Sequence, residues 1–327
     1  MIISWNTTQA CNISCSHCYR DAGAKRFDEL DTAEGKKLLS QIAKAGFKIM
    51  IFSGGEPLLR SDIYELISYA KNVGLRPVIG TNGMLITSQV AVKLKTAGLA
   101  CAGISLDSTE KARHDCFRGQ NGAWEQTIAG IKAAKEVGLP FQIHTTVFNW
   151  NEGEITDITD LAIKLGAVAH HIFFFVPTGR GENIEKTTLK TAQYETLLER
   201  ILDKQQQVSI ELKPTCAPQF MRIAKQRNLS LRFTKGCLAG TAYCVILPNG
   251  DVQPCPYLPI NAGNVRVTDF DQIWSNSLLF DEFRNQPLTG ACSKCGYDDV
   301  CGGCRARAYY YADGDYLAEE PWCSYGR

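Results

Sequence analysis

Five glycines set the frame of this chain. Gly46, Gly74, Gly98, Gly138 and Gly166 each follow an amphipathic, helix-like segment, and each precedes an apolar run of strand length. A glycine just past a helix end supplies the left-handed backbone conformation that stops the helix. Its recurrence at regular spacing implies successive βα units. Strands are expected at 2–9, 48–52, 77–80, 100–106, 141–147 and 168–175. Helices are expected at 32–45, 62–73, 88–97, 124–137 and 155–165, with N-caps at Asp31-Thr32 and Thr87-Ser88. The reading is an α/β fold: a partial (β/α)6 TIM barrel, whose reactive groups belong at the C-terminal ends of the strands.

The unusual polar motifs fall at those ends. The first strand leads to Cys11, Cys15 and Cys18, spaced four and three apart. The second leads to Ser53-Gly54-Gly55-Glu56-Pro57, the third to Gly80-Thr81-Asn82-Gly83 and the fourth to Ser105-Leu106-Asp107. Asn149 and Val176-Pro177-Thr178-Gly179-Arg180 follow the fifth and sixth. Three thiolates are one short of a full cubane site, so an iron–sulfur cluster held by them keeps one iron open. Taken alone, the spacing also admits a zinc site or core cysteines.

Beyond residue 180 the pattern is less regular. A helix is expected at 192–206, a strand at 208–212, a turn at Pro214-Thr215-Cys216-Ala217-Pro218 and a short basic helix through Lys225. From 237 onward come a hairpin over 245–255 with an Asn249-Gly250 turn and helices at 269–274 and 278–285. The domains read as 1–185, 186–236 (a bridge) and 237–327. The chain carries 14 cysteines in 327 residues. Eight lie from Cys237 to Cys323, and only Cys101, Cys116 and Cys216 fall outside that group and the first loop. No signal peptide is visible and the first strand begins at residue 2, so no leader-docking domain is expected before it. A cytoplasmic location follows, with cluster ligation rather than disulfides. A net charge of +1 speaks against a nucleic-acid partner, and no 18-residue apolar run exists to span a membrane.

The CxxxCxxC of Cys11, Cys15 and Cys18, with Gly54-Gly55-Glu56-Pro57, resembles the radical S-adenosylmethionine (AdoMet) superfamily over residues 1–180. The resemblance implies a 4Fe–4S cluster whose open iron binds AdoMet. It also implies that Glu56 and its surrounding backbone suit the amino group, Ser105 and Asn82 the hydroxyls or ribose, Arg118 the carboxylate and Tyr19 the adenine. The C-terminal region resembles the SPASM extension of that superfamily. By this resemblance Cys237, Cys244, Cys255 and Cys304 hold one auxiliary 4Fe–4S cluster, and Cys292, Cys295, Cys301 and Cys323 the other, three clusters in all. One departure is that two residues, not three, separate Cys301 from Cys304.

Segments 170–175, 177–180 and 214–220 resemble the tetrapyrrole-modifying branch, which includes haem and haem d1 biosynthesis proteins. That implies hydrogen abstraction from a propionate side chain, loss of carbon dioxide and formation of a vinyl group. Phe173–Phe175, Arg180 and Lys213 are candidates for a macrocycle slot. His144, His170, His171 and Cys216 are candidate ligands of the tetrapyrrole iron, each histidine being equally readable as a core residue. A reductant such as flavodoxin or ferredoxin is the implied protein partner. A peptide or protein maturase and a non-enzymatic scaffold stand as the alternatives.

Overall fold

The computed structural model describes residues 1–325. The last two residues assigned to the C-terminal domain, 326 and 327, lie outside the described residues. Strands β1 (Ile2–Asn6), β2 (Ile49–Ser53), β3 (Arg76–Thr81), β4 (Cys101–Ser105), β5 (Phe141–Val147), β6 (Ala169–Phe174) and β7 (Glu211–Thr215) lie side by side in chain order. All are parallel. Helices α1 (Thr32–Lys44), α2 (Ile63–Asn72), α3 (Ser88–Ala97), α4 (Lys111–Arg118), α5 (Ala123–Glu136), α6 (Ile155–Leu165), α7 (Thr191–Gln205) and α8 (Gln219–Gln226) come between and after them. The C-terminal region adds β8 (Tyr243–Ile246), β9 (Asp251–Gln253) and β10 (Gly263–Asn264), then α9 (Phe270–Asn276), α10 (Leu278–Asn285), α11 (Gly290–Ser293) and α12 (Arg305–Tyr311). β8 pairs in parallel with β1, so one ten-stranded sheet runs β10-β9-β8-β1 through β7.

Local chemistry explains the expected elements. Asp31 accepts from Glu34 N while Glu34 reaches back to Asp31 N, a capping box at the start of α1. Thr87 caps α3 by accepting from Val90 N. The five framing glycines all take positive φ, between 65° and 96°. Along β5, Phe141, Ile143, Thr145 and Val147 are buried while Gln142, His144 and Thr146 are only partly so. The period of two sends the first set towards the helices and the second into the barrel. Gly35 sits at the end of the first turn of α1, inside the helix, where glycine costs about 1 kcal/mol relative to alanine. A Cβ there would lie 2.6 Å from Trp5 Cη2, and Trp5 is fully buried.

Two differences from expectation bear on the site. Helix α4 follows Ser105-Leu106-Asp107 where no helix was expected. The strand expected at 208–212 lies at 211–215 and contains Pro214. β7 is the last strand of the sheet, and an edge strand tolerates proline. The proline that reads as a turn in sequence is therefore inside a strand, and Cys216 moves from a turn to a strand's C-terminal end.

Candidate active site

Neighbouring strand ends clamp the first cysteine loop. Gly55 N donates to Thr8 O at 2.8 Å and Glu56 N to Ala10 O at 2.7 Å. A Cβ on Gly54 would stand 2.4 Å from Thr8 O, and one on Gly55 2.1 Å from Ala10 O. The glycine pair is thus required because two backbones touch. From β3, Asn82 Nδ2 donates to Asn12 Oδ1 at 2.8 Å. From beyond β6, Arg180 Nε donates to Cys15 O at 3.0 Å and Nη1 to Ala22 O at 2.8 Å. Arg180 was expected to face a macrocycle carboxylate, but two of its nitrogens brace the loop instead.

Several expected contacts are already committed inside the protein. Glu56 is fully buried. Its carboxylate accepts from Leu58 N, Asn82 N and Thr81 Oγ1 at 2.8–3.1 Å. Burial outweighs these bonds and pushes its carboxyl up to about 7. Glu56 therefore ties the Gly54-Gly55 loop to the end of β3 rather than presenting a free carboxylate, and what the loop can offer a ligand is backbone. Pro57 opens the short helical turn Pro57–Leu59. Arg118 donates Nε to Asp107 Oδ2 at 2.6 Å, while its Nη1 stands 4.0 Å from Cys15 Sγ. Thr146 N completes the Asp107 carboxylate at 2.9 Å. Ser105, the last residue of β4, is partly exposed opposite His144.

Tyr19 packs its ring 5.2 Å from that of Tyr257 and donates to Asn6 Oδ1 at 3.3 Å, linking the first loop to the C-terminal region. The loop has a second aromatic group that sequence reasoning missed. His17 stacks on Phe117 at 3.9 Å and 6° and is held neutral by burial, its pKa lowered to about 3. Its position between Cys15 and Cys18 was the available signal.

The barrel interior separates the other candidates. His170 is fully buried, its ring nitrogens bonded to Thr159 Oγ1 and Thr145 Oγ1, both at 2.9 Å. It is a satisfied core residue and has no free nitrogen for iron. Phe174 lies in the main core, and Phe175 packs with Phe117 and Phe148. Within β6, alternation puts Phe174 on one face of the strand and Phe173 on the other, the barrel face. There His144 stacks on His171 at 5.3 Å and 8°, with Phe173 5.1 Å from His144. Lys213 is opposite His171 in register. Its Nζ stands 4.4 Å above the Phe233 ring. Gly103 makes room for His144, since a Cβ there would be 2.3 Å from His144 Cε1.

The C-terminal cysteines form two sets, with one exchange against expectation. Cys216, with φ 58°, follows β7. It packs with Cys237, Cys255 and Cys304 in one apolar cluster. Cys244 does not join them. It is opposite Ile3 in the β8–β1 register and lies fully buried in the main core. Alternation along β8 gives Tyr243, whose hydroxyl meets Ser4 Oγ, the opposite face. Cys216 therefore stands where Cys244 was expected, and Cys244 is a core thiol. Cys292, Cys295, Cys301 and Cys323 line a second space together with Gln219 and Arg222. Buried Arg307 joins the region to the barrel, pairing with Glu320 at 2.9 Å and donating to Cys216 O at 2.7 Å.

The residues fit iron–sulfur clusters. Burial pushes the Cys11 and Cys304 thiols up to about 11 and Cys301 up to about 12, so the protein alone holds them neutral. Iron supplies the positive charge that makes such thiols ligands. Among the described residues, buried N–H groups without a partner include Gln219 Nε2, Arg222 Nε and Arg305 Nη2, all beside the Cys292 set. Cluster sulfurs accept such donors. No three His, Cys, Asp or Glu side chains among the described residues converge as a single metal ion requires. A cubane gives each thiolate its own iron and needs no such convergence.

Residues 5–162 match the radical SAM superfamily, and residues 237–296 match an iron–sulfur cluster-binding domain, SPASM. An AdoMet-dependent heme synthase of Nitratidesulfovibrio vulgaris is 44% identical over 99% of this chain and 92% of its own length. The chain belongs to the radical SAM superfamily. As a SPASM-bearing member it is a radical AdoMet enzyme. It is also similar to a Fe-coproporphyrin III synthase of Methanosarcina barkeri, at 31% identity over 98% of this chain and 87% of that protein. The structure of SuiB from Streptococcus suis, bound to its precursor peptide SuiA, shares the fold. Its TM-score is 0.82 at 19% identity, over 98% of this chain and 75% of that one. No helix among the described residues is long and apolar enough to cross a membrane.

Proposed function

We propose that this radical SAM enzyme acts in haem biosynthesis and oxidatively decarboxylates propionate side chains of an iron tetrapyrrole, with iron-coproporphyrin III as the substrate to test. The observation that carries the reading is the 44% identity to an AdoMet-dependent heme synthase along almost the whole of both chains. Residues 1–185 form the catalytic core, 186–236 the bridge and 237–327 the auxiliary-cluster domain. Cys11, Cys15 and Cys18 hold the AdoMet-binding cluster. Cys216, Cys237, Cys255 and Cys304 hold one auxiliary cluster, and Cys292, Cys295, Cys301 and Cys323 the other. When bound, these groups supply the 5′-deoxyadenosyl radical that opens the reaction and the acceptor for the electron that closes it.

The chain's own residues do the rest. The Gly54-Gly55 backbone, Asn82 and Arg180 fix the first loop, and Asp107 holds Arg118 beside Cys15, where its guanidinium would bind the carboxylate of AdoMet. His144, His171, Phe173 and Lys213 line the barrel interior; Lys213 suits a propionate carboxylate, whereas His144 Nε2 already meets Gln142 at 2.8 Å and His171 Nε2 stands 3.6 Å from Glu211, which leaves only their Nδ1 atoms for iron. The side chain R–CH2–CH2–COO⁻ loses one hydrogen atom, one carbon dioxide and one electron and becomes R–CH=CH2. A flavodoxin- or ferredoxin-type reductant and a cytoplasmic location belong to the same reading.

The test is anaerobic incubation of the iron-loaded protein with AdoMet, dithionite and iron-coproporphyrin III, with products read by mass. Propionates converted to vinyl groups, together with 5′-deoxyadenosine, are expected. AdoMet cleavage without any decarboxylated tetrapyrrole overturns the substrate.

A further inference from the structure

The two auxiliary cysteine sets sit in unlike surroundings. Around Cys216, Cys237, Cys255 and Cys304 the neighbours are Val176, Ala239, Leu258, Ala306 and aromatic rings. The adjacent cation is Arg307, fully buried and answered by Glu320. The set beside α8 differs in its donors, although Glu320 and Asp298 line its space as well. Gln219, Arg222 and Arg305 are each at most 5% exposed, and each keeps one N–H without a partner among the described residues. The rest of each side chain is fixed. Gln219 Oε1 accepts from Tyr194 at 3.1 Å. Arg222 Nη2 pairs with Glu195 at 2.5 Å and Nη1 donates to Gln226 at 2.9 Å. Arg305 Nη1 donates to the carbonyls of Tyr316 and Ala318 at 2.9 and 2.7 Å. All three side chains stand beside the cysteines. Gln219 and Arg222 line the space of Cys292, Cys295, Cys301 and Cys323. A Cβ on Gly303 would lie 2.5 Å from Arg305 Nη2 and 3.6 Å from Cys292 Sγ, so the guanidinium and the thiol flank one point. Glu320 N adds a bond to Cys292 Sγ at 3.4 Å.

A buried N–H without a partner is destabilising, so three around one space need an acceptor. The sulfurs of a cluster are that acceptor. N–H donors and positive charge stabilise the reduced, more negative cluster and raise its reduction potential. We infer that Gln219, Arg222 and Arg305 are positioning and tuning residues that make the Cys292, Cys295, Cys301, Cys323 cluster the higher-potential of the two auxiliary clusters. An electron released by oxidation of the substrate then runs downhill from the Cys216 set to the Cys292 set, the exit towards an external acceptor. The inference rests on the cluster assignment proposed above, but not on the identity of the substrate.

The test is an EPR-monitored redox titration of the full, iron-loaded chain and of its Arg222→Met and Arg305→Met variants, with iron counted on each sample. The expected result is that one midpoint of three falls by at least a tenfold change in the reduction equilibrium, about 59 mV for a one-electron couple. It should be the same midpoint in both variants and the upper of the auxiliary pair. Where a methionine variant loses iron, Arg222→Lys and Gln219→Leu are read in its place, with the same cluster expected to shift. Unmoved midpoints, a shift spread over all three clusters, or a shift in the lower auxiliary midpoint each overturn the inference. Fewer than about twelve irons in the wild-type chain would instead remove the cluster assignment beneath it.

Discussion

The two cysteine regions follow different rules. In the first loop, Cys11, Cys15 and Cys18 share one short segment, so their spacing in sequence is their spacing in space. In the C-terminal region the sets are braided. Cys304 leaves its neighbours in sequence to join Cys237 and Cys255, and Cys216 joins them from the end of β7. Cys244, the right distance along the chain, faces the wrong side of its strand. Linear spacing identifies ligands within a loop. Between segments, the strand alternation and the strand ends decide.

The largest expected effect breaks the first region alone. Cys15→Ala should abolish AdoMet cleavage while both auxiliary clusters remain, read by 5′-deoxyadenosine release and iron content. Cleavage retained in that variant would refute the first-loop assignment. Gly55→Ala comes next. Its Cβ would meet Ala10 O at 2.1 Å, backbone against backbone, so the loop must shift. A misplacement of about 1 Å costs on the order of a hundredfold in rate, and wild-type turnover in Gly55→Ala would show that the contact does not matter.

Much of this was legible in the chain itself. The five glycines, the caps at Asp31 and Thr87 and the six first strands lie where the sequence places them. So do the polar motifs at the strand ends. What was not legible depended on partners distant in sequence. Glu56 looks like a ligand until Thr81, Asn82 and Leu58 occupy its carboxylate. Arg180 looks free until the carbonyls of Cys15 and Ala22 take it. His170 and His171 are adjacent, and only alternation sends one to Thr145 and Thr159 and the other into the barrel. Pro214 hid a strand because nothing in the sequence says that β7 is at an edge.

Smaller effects sharpen the account of the scaffold. Gly35→Ala gains about 1 kcal/mol of helix propensity. It loses roughly 1–3 kcal/mol by overpacking against Trp5, so net destabilisation of about 1 kcal/mol is expected; an unchanged or raised melting temperature would contradict the contact. Glu56 should give the smallest signal, a pH dependence. Its carboxyl keeps its proton in the folded state up to about 7, against 4.5 for an unperturbed side chain. The folded state therefore binds the extra proton in that window, and this group's contribution to stability falls as pH rises through it. Melting of Glu56→Gln should lack that decline, and parallel pH profiles of the variant and wild type would show that Glu56 does not titrate there.

The measurement that bears most directly on the two-region account compares Cys216→Ala with Cys244→Ala. Both are reconstituted anaerobically and read by iron and sulfide content and by EPR of each cluster. Cys216→Ala is predicted to lose or alter one auxiliary cluster, with the first loop and the Cys292 set untouched, while Cys244→Ala keeps every cluster signal of the wild type. A Cys244→Ala protein that loses that cluster beside a Cys216→Ala protein that retains it would contradict the ligand assignment.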